Sequence, residues 1–487
     1  MLEKVHEDRL KKLTAIRELG IDPYGRRYDT AEPIGSLLAR FEDDKDDQAA
    51  DAAGRLVLIR DMGKMIFAHI RDESGQMQIA LRKDNPDKPP RGLDETAWKL
   101  AKLLDLGDLV AVAGPLQRTR TGEVTVWAEQ LTLLTKSLEP MPEKFHGLQD
   151  VERRYRQRYL DLMTNPDSMA TFKKRVDIIN HIRGRLNDRR FVEVETPVLQ
   201  PIYGGAAARP FTTHHNTLDC ELFMRISPEL FLKRLLVGGM ERVYEFSRNF
   251  RNEGIDTSHN PEFTLLELYQ AYADYNVMME ITEELISTAA QEICGATKLP
   301  YGDVEIDYTT PWRRAKYADL LAEHAGVAMD DVAAVRAKAR ELGIEESNKD
   351  DAVVVNEVFE ATVEPHLVQP TFVMDYPAEL CPLTRRDPND PNIALRFELY
   401  IANMEIANAY TELNDPAVQE ANFRRQVRGE AQGETMRVMD EDFVTALRHG
   451  MPPAGGLGIG IDRVVMLLTG TRSIRDVILF PVLRRAD

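Results

Sequence analysis

The chain has 487 residues, of which 43% are hydrophobic and 29% charged, a composition typical of globular proteins and unlike that of disordered chains. Its formal net charge of −18 argues against a protein that coats nucleic acid nonspecifically. The three cysteines (Cys220, Cys294 and Cys381) are far apart and predict neither a disulfide framework nor a zinc site. The sequence shows no membrane-length apolar run and no signal peptide, so we expect a cytoplasmic protein without a membrane partner.

Residues 1–53 are predicted to form an N-terminal helical segment. Leu10, Leu13, Ile16 and Leu19 repeat at helical spacing, and the pattern stops near Gly20. The acidic residues at 42–52 indicate a loop. From residue 54 to about residue 136 the pattern changes to five short alternating runs with one helix-like insertion, which predicts a small closed β-barrel.

Pro140 and Pro142 mark a linker after the barrel. The following stretch at 152–162, ERRYRQRYLDL, is rich in arginine and tyrosine. It is typical either of a solvated helix face or of a hinge that contacts phosphates. From about 165 the chain alternates helices with apolar strands, and residues 310–365 are predicted to be a charged helical insertion.

Common enzyme motifs are missing from the sequence. It contains no G-x-x-x-x-G-K-[ST], no H-E-x-x-H and no G-x-S-x-G, and the glycines at 455–460 do not satisfy G-x-G-x-x-G. This excludes Walker-type nucleotide binding, zincin-type hydrolysis and the serine-hydrolase elbow.

Three other segments indicate a different chemistry: FVEVETP at 191–197, FRNE at 250–253 with PEFTLLELY at 261–269, and GLGIGIDR at 456–463. Arg251 and Glu253 are predicted to lie on one strand face, where an arginine can hold a phosphate or a carboxylate. The glycines allow close approach of the backbone to a ligand and bring Arg463 to the start of a helix, where phosphate binding is favoured. Phe263 could stack on a base. Taken singly, each arginine could instead form a surface salt bridge, and the glycines could form a tight turn.

The three segments resemble motifs 1, 2 and 3 of class II aminoacyl-tRNA synthetases, near 191–197, 246–269 and 455–468. With a barrel ahead of them, they resemble the lysine, aspartate and asparagine subgroup, and the lysine enzymes above all. The resemblance implies an α+β protein with an N-terminal OB-fold barrel that binds the anticodon at 54–147. A class II catalytic domain at 148–487, with an antiparallel sheet flanked by helices, would follow. It also implies a homodimer with Pro197 at the interface.

The implied reaction joins lysine to ATP as lysyl-adenylate and then transfers lysine to the 3′ end of tRNA(Lys), with Mg²⁺ as cofactor. Arg251 would bridge the α-phosphate and the lysine carboxylate and, with Arg463, would be catalytic. The resemblance assigns ATP binding to Arg251, Glu253, His259, Asn260, Phe263, Glu405, Gly460 and Arg463.

Glu398 and Glu405 match the magnesium ligands of the family. Together with Glu412 they repeat every seven residues, which could also produce a charged helical stripe. The resemblance instead implies two strands joined by a turn near Ala402 and Asn403, and we favour this arrangement.

The resemblance also implies a lysine pocket. Since lysine carries two ammonium groups, such a pocket should be rich in carboxylates, and buried carboxylates are costly unless a cation binds them. The lysine contacts implied are Gly205, Glu229, Arg251, Glu267, Tyr269, Asn408 and Glu412.

In the barrel, Arg60, Phe67 and Gln78 match the anticodon contacts of the family. Phe67 would stack on a base, and the two polar side chains would read base edges. Phe67 could instead be a core residue of the barrel. Two rival functions are a synthetase paralogue that acts on a protein or without tRNA, and a non-catalytic regulator that binds tRNA. The first commonly lacks the barrel, and the second would be expected to lose Arg251, Arg463 or the magnesium carboxylates.

Overall fold

The computed structural model describes residues 2–25, 27–43, 45, 48–85, 91–142, 148, 150–347, 349–428 and 438–484. The chain divides into two compact units, residues 1–149 and 150–487. The predicted end of the barrel domain at residue 147 lies outside the described residues. Across the described ranges, no helix has the length and apolar character needed to cross a membrane.

The first unit is a closed β-barrel with short helices. Its strands pair in the order β1-β2-β3-β5-β4-β6, and β1 also pairs with β4, which closes the barrel. The strands are β1 (Ala49–Asp61), β2 (Met65–Arg71), β3 (Gln76–Arg82), β4 (Leu109–Arg118), β5 (Val124–Trp127) and β6 (Gln130–Thr135). The helices are α1 (Leu2–Glu18), α2 (Ile34–Arg40) and α3 (Glu95–Ala101).

The barrel confirms the OB-fold prediction, with two differences. The described residues form six strands, not five, because the last predicted run is interrupted at Ala128 and Glu129. The strand β1 begins at Ala49, inside the stretch predicted to be a loop. Ala50 and Ala52 are buried there and the backbone pairs with β4, so tertiary pairing overrides the weak strand preference of this acidic segment.

The second unit contains an eight-stranded sheet in the order β15-β16-β17-β18-β19-β12-β11-β7. The strands of this unit are β7 (Val192–Glu193), β8 (Leu199–Gln200), β9 (Thr212–His215), β10 (Cys220–Met224), β11 (Arg242–Phe250), β12 (Glu262–Ala271), β13 (Lys298–Tyr301), β14 (Val304–Asp307), β15 (Arg313–Lys316), β16 (Thr371–Pro377), β17 (Ile393–Ile401), β18 (Met404–Thr411) and β19 (Ala454–Gly460). The helices are α4 (Val151–Arg156), α5 (Arg158–Thr164), α6 (Pro166–Asp188), α7 (Glu229–Val237), α8 (Tyr275–Ile293), α9 (Tyr317–Ala325), α10 (Val332–Glu341), α11 (Asp351–Thr362), α12 (Pro416–Val427), α13 (Glu441–Arg448), α14 (Ile461–Thr469) and α15 (Ile474–Val477).

The six central strands of this sheet are antiparallel, while β15 and β7 pair in parallel at its two edges. The sheet is therefore mixed, with the predicted antiparallel arrangement at its centre. Helices α6, α8 and α14 contribute Ile182, Leu285 and Val464 to the core that packs on the central strands. The opposite face of those strands remains available for the cavity described below.

Two expectations about this unit change. Residues 310–365 are not wholly helical, because residues 313–316 form the edge strand β15, whose charged side chains suit an edge position. In the arginine-rich stretch, Arg158 is fully buried, pairs with Asp161 at 2.6 Å and donates to the backbone carbonyls of Arg475 and Leu479. Arg158 therefore anchors residues 475–479 to α5 through hydrogen bonds. Arg153, in contrast, is exposed to solvent.

Candidate active site

A cavity of about 340 Å³ lies against the central strands of the second unit. It is bounded by the loop between β11 and β12, by strands β17, β18 and β19, and by the start of α7. Most of the predicted ligand-binding side chains line it. These residues are Gly205, Glu229, Arg251, Glu253, His259, Asn260, Phe263, Glu267, Tyr269, Glu398, Glu405, Asn408, Gly460 and Arg463.

Arg251 and Glu253 lie beyond the end of β11, so the prediction that both lie on one strand face is wrong. The strand pairing ends with Phe250 opposite Glu262, and the Arg251 amide then donates to the Pro261 carbonyl at 2.9 Å. The Arg251 guanidinium carbon lies 5.1 Å from the centre of the Phe263 ring. Its Nε is buried without a hydrogen-bond acceptor among the described residues, which suits an anionic ligand.

His259 connects this loop to the end of β19. Its Nδ1 lies 2.8 Å from Asp256, and its Nε2 lies 3.0 Å from an Arg463 amino nitrogen. Burial would raise the pKa of Asp256, but hydrogen bonds from Ser258 and His259 dominate and lower it to about 2. Asp256 therefore stays ionised and fixes the imidazole beside Arg463.

Arg463 occupies the first turn of α14, directly after β19, as predicted. The preceding Asp462 is buried, pairs with Arg175 at 2.6 Å and accepts from the Thr264 amide at 2.7 Å. These contacts fix the start of α14 against β12 and α6, which directs Arg463 into the cavity. Asn260 is also buried and donates to the Glu262 carbonyl at 2.6 Å.

The opposite end of the cavity is acidic. Glu267 accepts from the Ser227 hydroxyl at 2.8 Å and from the Tyr269 hydroxyl at 3.2 Å. Burial, with a further contribution from the negative charge of Glu229, raises the pKa of Glu267 to about 8. The positive charge of Arg251 and the two hydroxyl donors act in the opposite direction but do not offset the effect of burial on this pKa.

Glu412 does not line this cavity. It is fully buried just after β18, and its Oε2 lies 2.5 Å from Lys233 Nζ. Lys233 also contacts Glu229 Oε1 at 2.5 Å. The sequence assigns the cation that these carboxylates need to the substrate alone, whereas the chain itself supplies Lys233 to Glu229 and Glu412.

Sequence reasoning missed Lys233, although the sequence contains a signal for it. The residue lies four positions after Glu229, inside the apolar run LFLKRLLV, where a charged side chain on the buried helix face needs a partner.

Two glycines give the acidic end its shape. A β-carbon at Gly456 would lie 2.0 Å from Glu412 Oε1 and 2.4 Å from the Tyr269 ring. Gly205 has a φ of +86°, and a β-carbon there would lie 2.9 Å from Glu229. Both positions therefore exclude a side chain.

Glu398 and Glu405 lie in β17 and β18, joined by a turn at Ala402 and Asn403, so the strand prediction is confirmed and the helical stripe is wrong. Glu398 accepts from the hydroxyls of Tyr376 and Tyr400, each at 2.7 Å, and pairs with Arg396. Across the described residues, no cluster of three or more His, Cys, Asp or Glu side chains has metal-binding geometry.

The same region still suits a hard cation. Burial, together with the negative charges of Glu360, Glu398 and Glu405, raises the pKa of Glu364 to about 7. Carboxylate oxygens are ligands that Mg²⁺ prefers, with phosphates and water completing its shell.

In the barrel, Phe67 lies opposite Arg60 on the outer face, while its neighbours Ile66 and Ala68 point into the core. The alternative that Phe67 is a core residue is therefore wrong. Its ring packs edge-on against Trp127 at 6.3 Å. Gln78 is nearly buried, donates to Glu123 at 2.6 Å and accepts from Thr125 at 2.8 Å, so its amide is already engaged.

Pro197 is exposed, as an interface residue would be in a single chain. The strand before it, β7, is only two residues long and ends at Glu193, earlier than the motif suggested. Exposed apolar side chains surround Pro197 in sequence: Val192, Val198 and Leu199.

Comparison with known families agrees with this architecture. The family described as tRNA synthetases class II (D, K and N) matches residues 150–484. The family described as OB-fold nucleic acid binding domain matches residues 52–134. The chain belongs to the class II tRNA synthetases of the aspartate, lysine and asparagine group.

Among its relatives are proteins named lysine–tRNA ligase. That of Carboxydothermus hydrogenoformans is 50% identical over 100% of this chain and 99% of its own length. Those of Moorella thermoacetica and Staphylococcus haemolyticus are 50% and 49% identical, each over 98% of this chain and over 97% and 98% of their own lengths.

Proposed function

We propose that this protein is a lysine–tRNA ligase. It joins L-lysine and ATP to form lysyl-adenylate and pyrophosphate, and then transfers the lysyl group to the 3′-terminal hydroxyl of tRNA(Lys), releasing AMP. The observation that carries this proposal is one cavity with the Arg251 and Arg463 guanidinium groups and the Phe263 ring at one end and the buried carboxylates Glu229 and Glu267 at the other. The full-length similarity to lysine–tRNA ligases supports the same reaction.

Arg251 is the central group of the first step. Its Nε is buried without an acceptor among the described residues, its guanidinium carbon lies 5.1 Å from the centre of the Phe263 ring, and its charge acts on Glu267 at the acidic end. It can therefore hold the α-phosphate and the lysine carboxylate at the same time. The carboxylate oxygen then attacks phosphorus and pyrophosphate leaves, while the guanidinium stabilises the charge that develops. Such a reaction depends on positioning and charge, and needs no protein nucleophile.

The remaining ATP contacts follow from the cavity wall. The Phe263 ring stacks on adenine, and Glu253 and Asn260 orient the base. His259 and Arg463, already 3.0 Å apart, bind the outer phosphates. Gly460 gives the backbone close access where β19 meets α14.

Magnesium would be held by Glu398 and Glu405 together with phosphate oxygens, and would neutralise phosphate charge. Tyr376 and Tyr400 hold the Glu398 carboxylate in place from the side of β16 and β17. Glu405 is partly exposed and close to Arg463, so it reaches the phosphate end of the cavity.

Lysine binds at the acidic end. Its two ammonium groups face Glu229 and Glu267, with Tyr269 and Asn408 completing the wall and Gly205 closing it from the loop side. Glu412 contributes from behind this wall, through Lys233 and Glu229.

The barrel face containing Arg60, Phe67 and Gln78 binds the anticodon loop. Phe67 stacks on one base, and Arg60 stands beside it on the neighbouring strand. Gln78 reads a base edge after exchanging its Glu123 contact for the base.

The protein acts in the cytoplasm as a homodimer that buries Pro197 and the exposed Val192, Val198 and Leu199. Size-exclusion chromatography with light scattering should give twice the chain mass of 55.3 kDa. A monomer at micromolar concentration would contradict the dimer alone.

The function is tested by ATP–pyrophosphate exchange with each of the twenty amino acids, followed by charging of a tRNA(Lys) transcript. We expect exchange with lysine and transfer of lysine to the transcript. Exchange without transfer would indicate the paralogue, and folded protein that binds tRNA without exchange would indicate the regulator.

Arg251→Ala should abolish exchange, because one lost transition-state charge contact costs roughly 3 kcal/mol or more. Arg313→Ala is the control, since Arg313 is an exposed residue paired with Glu323 on β15 and α9. Near-normal exchange by folded Arg251→Ala would remove Arg251 from the reaction.

A further inference from the structure

Lys233 is a cation that the chain itself places at the acidic end of the cavity. Its side chain is fully buried, and its Nζ lies 2.5 Å from both Glu229 Oε1 and Glu412 Oε2. Glu229 and Lys233 are four residues apart on α7, whereas Glu412 follows β18. One ammonium thus holds together two carboxylates from two different elements.

This ion cluster stands directly behind the cavity wall. Glu229 and Tyr269 line the cavity, and Lys233 Nζ lies 5.9 Å from the centre of the Tyr269 ring. The Glu412 carboxylate lies under Gly456, where even a β-carbon would clash with it. Because these contacts are close and buried, moving or neutralising Lys233 would change the position and charge of the wall itself.

The charges at this end of the cavity are unequal. Glu229, Glu267 and Glu412 contribute three carboxylates and Lys233 one ammonium, so two negative charges remain when all are ionised. A free lysine molecule brings two ammonium groups, and its carboxylate pairs with Arg251, so neither of these two charges enters the balance. The charge left by Lys233 therefore equals the charge that the substrate brings.

We propose that Lys233 is a positioning residue that sets the charge of the amino-acid pocket. It orients Glu229 and Glu412, and its charge opposes the burial that raises the pKa of Glu412. With all three carboxylates ionised, two negative charges remain for the two ammonium groups of lysine. The groups that face Lys233 are Glu229 from its own helix, Glu412 just after β18, and the Tyr269 ring from β12. This inference rests on the proposed lysine substrate and adds a specificity residue that does not itself touch the substrate.

The test compares lysine KM and ATP KM in pyrophosphate exchange for the wild type, Lys233→Met and Lys233→Met/Glu412→Gln. The single change removes the ammonium that Glu229 and Glu412 share, so both carboxylates lose the group that orients them. We expect it to raise lysine KM about tenfold or more, because a carboxylate that is no longer held in place loses its hydrogen bond to an ammonium group of lysine. A hydrogen bond to a charged group is worth about that factor. ATP KM should stay within about twofold, because the ATP contacts lie at the other end of the cavity.

The double change removes one positive and one negative charge together and restores two net negative charges. We therefore expect its lysine KM to be lower than that of Lys233→Met, although Glu412→Gln alone raises lysine KM. A purely structural lysine would instead give additive losses and no recovery.

The matched control is Lys136→Met in the barrel. Lys136 is also fully buried between two carboxylates, Asp105 at 2.6 Å and Asp108 at 2.8 Å. It should lower stability without changing lysine KM in exchange, which needs no tRNA. This control separates loss of a buried ion pair from loss of pocket charge.

Two results would overturn the inference. One is a folded Lys233→Met protein with the wild-type lysine KM. The other is a double variant that neither folds better nor binds lysine better than the single variant, including the case in which neither folds. If the wild type exchanges pyrophosphate with another amino acid in place of lysine, the proposed function is overturned as well. If the wild type exchanges with lysine and either of these two results is found, only the role of Lys233 is overturned.

Discussion

Each unit of the molecule buries one lysine between two carboxylates, and the two clusters differ in what surrounds them. In the barrel, Lys136 contacts Asp105 and Asp108, and a second lysine, Lys12, contacts Asp105 at 2.6 Å. Burial alone would raise the pKa of Asp105, but hydrogen bonds from Lys12 and Lys136 outweigh it and lower that pKa. The two carboxylates are therefore matched by two lysines.

In the catalytic unit, Lys233 contacts Glu229 and Glu412. At the nearby Glu267, burial outweighs the opposing charge of Arg251 and raises the pKa. The neighbouring carboxylates outweigh the burial of Lys233 and raise its pKa, so the lysine stays charged. A buried cluster with equal numbers of positive and negative charges therefore contributes to stability. A buried cluster beside a cavity with an excess of negative charge can instead bind a cationic ligand.

Removing the barrel lysine should have the largest effect, and on stability alone. Lys136→Met leaves Asp108 buried without its cation, and breaking a buried pair costs about 3–5 kcal/mol. Chemical unfolding followed by circular dichroism should show a destabilised barrel transition. An unchanged unfolding transition, or a changed lysine KM in pyrophosphate exchange, would contradict the conclusion that Lys136 contributes to stability alone.

Glu412→Gln should affect the substrate rather than the fold. Gln keeps the shape but removes one charge from the Lys233 cluster, so the pocket is left with one negative charge for two ammonium groups. A charge-assisted contact is worth about 1.5–3 kcal/mol, which corresponds to a 10- to 100-fold higher lysine KM with ATP KM unchanged. A loss confined to ATP would remove Glu412 from lysine recognition.

Phe67→Ala tests whether the two units have separate tasks. Losing one base stack should weaken tRNA charging by about 1–3 kcal/mol, while lysine-dependent exchange stays intact. Thr132→Ala, on β6, is a control away from the predicted base contacts. If exchange and charging fall together in Phe67→Ala, this side chain supports the fold instead of the RNA.

The smallest expected effect is on the pH dependence of lysine binding. Because the pKa of Glu267 is raised to about 8, its carboxyl group is mostly protonated at pH 7. It must lose this proton to pair with an ammonium group of lysine. Lysine affinity should therefore rise as pH increases toward 8, by at most about tenfold per unit, and then level off.

The facing groups relevant to this titration are Glu229, Arg251 and the hydroxyls of Ser227 and Tyr269. Calorimetric titration of lysine at several pH values measures the effect. In the control Glu267→Gln the pH dependence should be smaller, with only the raised pKa of Glu412 left to contribute. An affinity that falls as pH rises from 6.5 to 8 would contradict the titration of Glu267.

The sequence predicted the parts of the site that depend on local pattern. Glycine spacing and a following apolar run placed Arg463 at the start of a helix. For Glu398 and Glu405 the local spacing also allowed a helix, and the family resemblance supplied the adjacent strands. It did not predict the partners of buried charges, because Lys233 and Glu412 are 179 positions apart and meet only through tertiary packing. For the same reason it misassigned Ala49–Ala53 and β15, which become strands through pairing with distant segments.

The central prediction is that the acidic end of the cavity selects an amino acid by the charge of its side chain. Calorimetric titration with L-lysine and with L-norleucine, which has nearly the same length but no side-chain ammonium, tests this claim directly. We predict that lysine binds and that norleucine binds at least about 100-fold more weakly, because buried carboxylates would be left unpaired. Equal affinity for the two ligands would contradict the claim.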